Sequence, residues 1–93
     1  MGVEEIKDKV LPILLKYGVS KASLFGSVVR GEATAESDID ILVEFKGRKS
    51  LLDLSGLKIE LEEILGKQVD ILTYNSLYPL LRKRILSEQE AIL

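Results

Sequence analysis

The sequence predicts an α+β domain of α/β type, a small β-sheet of three to four strands flanked by helices. Two stretches place apolar residues at the three- and four-residue spacing of an amphipathic helix. Between and after them, short β-favouring runs are bounded by turn-forming residues. The 93 residues contain no repeat, linker or low-complexity segment, so residues 1–93 read as one domain.

The first helix spans Val3 to Tyr17, with Val3, Ile6, Val10, Ile13, Leu14 and Tyr17 on one stripe and Gly18 as the stop. Pro12 inside it removes a backbone donor and crowds the preceding turn, so a bend or a restart is expected there. Lys21 to Phe25 is a first strand, held short by Val19-Ser20 and Gly26. Ser27 to Gly31 forms one helical turn, and Glu32 to Ser37 is a polar connector. Asp38 to Phe45 is the second strand, with Ile39, Ile41 and Val43 on one face and Asp40, Leu42 and Glu44 on the other. After a basic turn, Lys46 to Lys49, Ser50 caps a helix from Leu51 to Leu65 that Gly66 ends. Its core stripe is Leu54, Leu57, Leu61, Ile64 and Leu65, and Gly56 costs it about 1 kcal/mol relative to alanine. Gln68 to Leu72 is a third strand interrupted by Asp70. A turn at Tyr74 to Ser76 leads to a helix from Pro79 to about Ser87, and Glu90 to Leu93 is a terminal edge strand.

Composition narrows the chemistry. The absence of cysteine removes disulfides, thiolate metal sites and thiol nucleophiles, and the absence of histidine removes the commonest general base and zinc ligand. Any catalysis rests on carboxylates, hydroxyls, Lys, Arg, Tyr or a hard metal ion. A net charge of −2 argues against a surface committed to a nucleic-acid backbone. The N-terminus has neither a signal peptide's basic start nor a myristoylation signal, and no apolar run approaches the roughly 18 residues that cross a bilayer, so a cytoplasmic protein without a membrane partner is expected.

Asp38 and Asp40, two apart on a strand, leave the same face. Adjacent carboxylates repel unless a cation lies between them, and an oxygen-only site favours Mg²⁺, Mn²⁺ or Ca²⁺; the competing reading is a solvated strand start. Gly26-Ser27 stands upstream where a strand gives way to a helical turn, a place where backbone and hydroxyl can approach a phosphate or simply make a turn. Asp70 joins the pair if its strand lies beside the second, as a metal ligand or proton acceptor; otherwise it is a polar edge residue. Arg30 either binds a phosphate oxygen or pairs with Glu32 or Asp38.

Leu24-Phe25-Gly26-Ser27-Val28-Val29-Arg30-Gly31, followed by Ser37-Asp38-Ile39-Asp40-Ile41-Leu42-Val43, closely resembles the signature of minimal nucleotidyltransferases in the DNA polymerase β-like superfamily. The similarity covers nearly the whole chain, including the N-terminal helix, the helix after the double-Asp strand and the acidic strand Val69-Asp70-Ile71. It implies the nucleotidyltransferase fold with a mixed sheet, a nucleoside triphosphate donor and two divalent ions, Mg²⁺ here. By position, Asp38, Asp40 and Asp70 match the metal-binding and catalytic acids, and Gly26 and Ser27 the phosphate contacts, with Arg30 as an added candidate. Val28 departs from the basic residue that many relatives carry, which bears on donor affinity or turnover.

Small members of this family often act as the antitoxin of a HEPN-domain ribonuclease toxin, and some transfer AMP from ATP to a tyrosine of that toxin. The resemblance therefore implies a protein adenylyltransferase with a HEPN toxin as partner; the alternative is a binding module that neutralises the toxin by contact. A third reading, a nucleic-acid accessory built on Lys46, Arg48, Lys49, Arg82, Lys83 and Arg84, competes with ordinary solvated turns and helix faces and ranks last. Ala91-Ile92-Leu93 either presents a sheet edge for a homo-oligomer or partner, or completes the domain's own core.

Overall fold

The computed structural model describes residues 2–32, 34, 36–47 and 50–93. Its elements are α1 (Val3–Lys16), β1 (Val19–Phe25), α2 (Ser27–Arg30), β2 (Ile39–Phe45), α3 (Leu51–Leu65), β3 (Val69–Thr73), α4 (Pro79–Glu88) and β4 (Glu90–Ala91), with a 3₁₀ turn at Tyr74–Ser76 before α4. The sheet order is β3-β2-β1-β4. β1 runs antiparallel to β2 and to β4, whereas β2 and β3 are parallel. The sheet is therefore mixed, and the parallel pair is joined through α3, because parallel neighbours need a crossover rather than a tight turn.

Strand alternation divides the sheet into two unlike faces. Ala22, Leu24, Ile39, Ile41, Val43 and Val69 form one continuous core with Ile6, Val10 and Leu14 of α1 and Leu57, Leu61 and Leu65 of α3. The opposite face carries only a small cluster, Phe25, Leu42 and Leu77, against which half-buried Tyr74, Ile85 and Leu86 pack. Asp40 and Asp70 alternate with the core residues and therefore belong to this sparsely covered face.

Several expectations need correction. α1 runs unbroken through Pro12, which lies on the exposed side where water can take the freed carbonyl, while Ile6, Val10 and Leu14 anchor the helix on both sides of it. β1 starts at Val19, two residues before the expected strand, because Val19 pairs with Phe45 across a register irregularity. β2 starts at Ile39, so Asp38 precedes the strand instead of opening it. The buried stripe of α3 is narrower than expected: Leu57, Leu61 and Leu65 are buried, Leu54 is half-buried and Ile64 is exposed, since helix-on-sheet packing here uses a single four-residue row.

Gly56 has a packing role that its helix-weakening effect conceals. A Cβ there would lie 2.9 Å from the Tyr17 Oη, so glycine lets α1 bring Tyr17 against α3, where its hydroxyl donates to Glu60. The Ser50 cap is completed by Asp53: the Ser50 hydroxyl accepts from the Asp53 N–H, and the Asp53 carboxylate accepts from the Ser50 N–H. Ser50→Ala is expected to lower stability by about 1 kcal/mol, read as a shift in the urea midpoint without a change in slope.

β4 is limited to Glu90–Ala91, shorter than the four residues expected. The backbone N–H groups of Ile92 and Leu93 nevertheless still donate to the Ala22 carbonyl, and Ile92 is buried in the main core. The apolar C-terminus thus completes the domain's own sheet. Among the described residues, no helix is long and apolar enough to cross a membrane.

Candidate active site

The sheet order places β3 directly beside β2, with Asp40 in register with Asp70. Neighbouring strands stand about 4.8 Å apart, so in-register side chains on one face are in contact distance. Asp40 is half-buried, whereas Asp70 and Asp38 are exposed. The Asp40 carboxyl is raised to about 6. Burial is the largest cause, followed by the charges of Asp70 and Asp38 and a hydrogen bond with Asp70; the Arg30 charge acts in the opposite direction.

Gly26 closes the site from the β1 side. Phe25 pairs with Asp40 across the antiparallel ladder, which brings the next residue over the Asp40 side chain. A Cβ on Gly26 would lie 2.3 Å from the Asp40 Oδ2, and Gly26 has φ 79° and ψ −149°, a conformation essentially reserved for glycine. The chain then enters α2 at Ser27, whose side chain is half-buried.

The Gly26 N–H and Arg30 are already engaged. The N–H donates to the Glu88 Oε1 at 3.2 Å, and the Arg30 Nη1 donates to the same oxygen at 3.0 Å. The Arg30 Nε donates to the Glu32 Oε2 at 3.2 Å. Of the two partners expected from sequence for Arg30, Glu32 is found, and Glu88 takes the place of Asp38. Glu88 was not foreseen because it lies 62 residues from Gly26, and only the packing of α4 brings it there.

Beside the acids an open groove of about 450 Å³ runs toward the first half of α3. Asp40, Asp70, Phe25, Leu51, Leu54 and Lys58 contribute to its walls, giving a polar end at the acids and an apolar side opposite. The basic residues of the nucleic-acid reading lie elsewhere: Arg82, Lys83 and Arg84 are exposed on α4, with Arg82 donating to the Tyr74 carbonyl, and Lys46 is exposed after β2. Arg48 and Lys49 fall outside the described residues.

The adjacent carboxylates of Asp40 and Asp70 offer oxygen donors only, the donor type that suits a hard divalent cation, with no thiolate or imidazole in the chain to favour a softer metal. Among the described residues, no three acids close around one point as a ready-made cage, so what the fold supplies is an adjacent pair, Asp40 and Asp70, with Asp38 in electrostatic reach.

The fold is a mixed sheet with two in-register acids on its sparsely covered face, beside a glycine turn that enters a helical turn. The model of the nucleotidyltransferase domain family matches residues 4–92, and the chain belongs to that family. It is 62% identical, over the full length of both chains, to a Methanocaldococcus jannaschii protein named as a putative protein adenylyltransferase. It is also 44% identical over 73 residues to the protein adenylyltransferase MntA of Thermococcus cleftensis, covering 78% of this chain and 74% of that one. Among solved structures, one described as a putative minimal nucleotidyltransferase superposes with a TM-score of 0.82 at 40% identity, covering 97% of this chain and 95% of the other. The fold is shared as well with a toxin–antitoxin complex containing AMP-PNP, at a TM-score of 0.82 and 22% identity, covering 94% of this chain and 72% of the other.

Proposed function

We propose that this domain transfers AMP from ATP to a hydroxyl of a partner protein and is the antitoxin of a pair whose other member is a HEPN-domain toxin. The observation that carries the chemistry is the in-register pair Asp40 and Asp70 beneath the Gly26 backbone. The partner and the protein acceptor are supported by the relatives: two are named for protein adenylylation, and one solved structure of the same fold is of a tri-AMPylated Shewanella oneidensis HEPN toxin in complex with MNT antitoxin.

In this mechanism the Gly26 N–H, the Ser27 hydroxyl and the Arg30 guanidinium bind and orient the triphosphate. Asp38, Asp40 and Asp70 would hold divalent ions, two Mg²⁺ in the family pattern, which when bound neutralise phosphate charge and favour the ionised acceptor oxygen. Asp70 takes the acceptor hydroxyl's proton. The acceptor oxygen bonds to the α-phosphorus as the bond to the bridging oxygen breaks, and pyrophosphate leaves.

A contact-only antitoxin is the second reading, favoured by the engagement of the Gly26 N–H and Arg30 with Glu88. The two readings separate in one experiment. ATP with Mg²⁺ at about a hundredfold above Kd should stabilise the protein by roughly 2.7 kcal/mol in thermal unfolding. Label from the α-phosphate of ATP should also appear on a co-purified HEPN toxin. Neither effect should survive in Asp38→Asn/Asp40→Asn. Label transfer that persists in the double variant removes the proposed mechanism, and toxin neutralisation without any label transfer by wild type establishes the second reading.

A further inference from the structure

Glu88 is the last residue of α4, and its carboxylate sits where the glycine turn and α2 offer their donors. One of its oxygens accepts from both the Gly26 backbone N–H and the Arg30 Nη1, so a single anionic oxygen satisfies two groups that would otherwise grip a phosphate. The Glu88 side chain is 22% exposed and that of Arg30 37%, so the contact is partly covered on the Glu88 side. Arg30 also lies close enough to Asp40 for its charge to act on that carboxyl, which puts Glu88 at the margin of the acid site.

The element that carries Glu88 is lightly attached. None of the α4 residues is buried, and the helix rests on the small cluster of Phe25, Leu42 and Leu77 through half-buried Ile85 and Leu86. The chain passes from Glu88 into β4 and the buried Ile92, so the movement that frees Gly26 and Arg30 is that of the Glu88 side chain, which carries little apolar surface. The contact is thus reversible on the scale of ligand binding.

We propose that Glu88 is an internal competitor for the triphosphate: its carboxylate occupies the phosphate-binding donors in the free protein and must leave before ATP can use Gly26 and Arg30. The inference rests on the nucleotide site argued above and adds a regulatory contact within it. A site available for only a fraction of the time binds more weakly by that fraction, so removing the competitor tightens binding without adding any contact to the ligand. The competition is expected at the phosphate groups, because the Glu88 carboxylate holds a backbone N–H and a guanidinium, donors that suit phosphate oxygens.

The test is calorimetric titration of wild type, Glu88→Ala and Glu88→Gln with ATP, inorganic tripolyphosphate and adenosine, each with Mg²⁺, after thermal unfolding has established that each variant is folded. Glu88→Gln keeps the size and the acceptor for the Gly26 N–H while removing the charge, so it covers the case in which alanine loosens α4. The expected result is ATP and tripolyphosphate binding about five- to tenfold tighter in both variants, with adenosine unchanged. A merely structural Glu88 would lower the melting temperature and leave phosphate affinity the same or weaker, and that outcome overturns the proposal. Loss of Mg²⁺-dependent ATP binding in both variants would instead make Glu88 part of the binding machinery and also overturns it. If ATP binds wild type and both variants with equal strength, the competitor fails while the nucleotide site stands; if ATP binds none of the three proteins, the nucleotide site itself fails.

Discussion

Gly26→Ala is expected to lower stability by about 2–3 kcal/mol and to abolish nucleotide-dependent stabilisation. Two separate causes act. The backbone at φ 79° and ψ −149° lies in a region that side chains with a Cβ avoid, and that strain cannot be relieved without remaking the join between β1 and α2. The new methyl would also lie 2.3 Å from the Asp40 Oδ2, an overlap the protein can relieve by rotating the Asp40 side chain. Rotation spares the fold but withdraws a carboxylate from the site. Chemical denaturation reads the first effect and ATP–Mg²⁺ titration the second. A variant within about 0.5 kcal/mol of wild type that still binds ATP would show that neither the conformation nor the approach of Gly26 matters.

Asp40→Asn should separate stability from activity in opposite directions. The Asp40 carboxyl is raised from 3.8 to about 6 by burial and by Asp70 and Asp38, so the folded protein binds more protons than the unfolded chain between these values. Stability contributed by this group therefore rises as pH falls from above 6 toward 4, and near neutrality the ionised carboxylate is a burden on the fold. The raised value alone would correspond to about 3 kcal/mol; because Asp40 is only half-buried, solvent screening reduces this to about 1 kcal/mol. Metal-free Asp40→Asn should therefore be about 1 kcal/mol more stable than wild type at pH 7.5, with the difference vanishing by about pH 4. Nucleotidyl transfer should fall on the order of a thousandfold or more, since an amide neither neutralises a cation nor completes the acid pair. Urea titrations across pH and an initial-rate assay of label transfer read the two effects. A destabilised variant at pH 7.5, or one with transfer above about a tenth of wild type, would contradict the roles assigned to Asp40.

The elements that were readable from sequence are those specified locally. Ser50 and Gly66 fix the ends of α3 to the residue, because a hydroxyl acceptor before the first turn and a left-handed residue after the last are local requirements. The alternation of Ile39, Asp40, Ile41 and Leu42 assigns faces by itself. The adjacency of Asp70 to Asp40 was legible only as a condition, since strand order is a property of the crossover through α3 and not of either strand. Ile64 misled because it keeps helical spacing yet falls beyond the width of the sheet that α3 covers. Glu88 left no trace in the sequence: a lone glutamate at the end of an exposed helix looks like any solvated charge until tertiary packing sets it against Gly26 and Arg30.

The two unlike faces of the sheet also govern which insertions and deletions the chain can absorb. Because the side chains of β2 alternate, removing one residue within Ile39–Ile41 would turn the acid toward the core and the isoleucine toward solvent, losing packing and chemistry in a single step. Strand phase is counted from Ile39, so a change of length upstream of the strand does not invert this alternation.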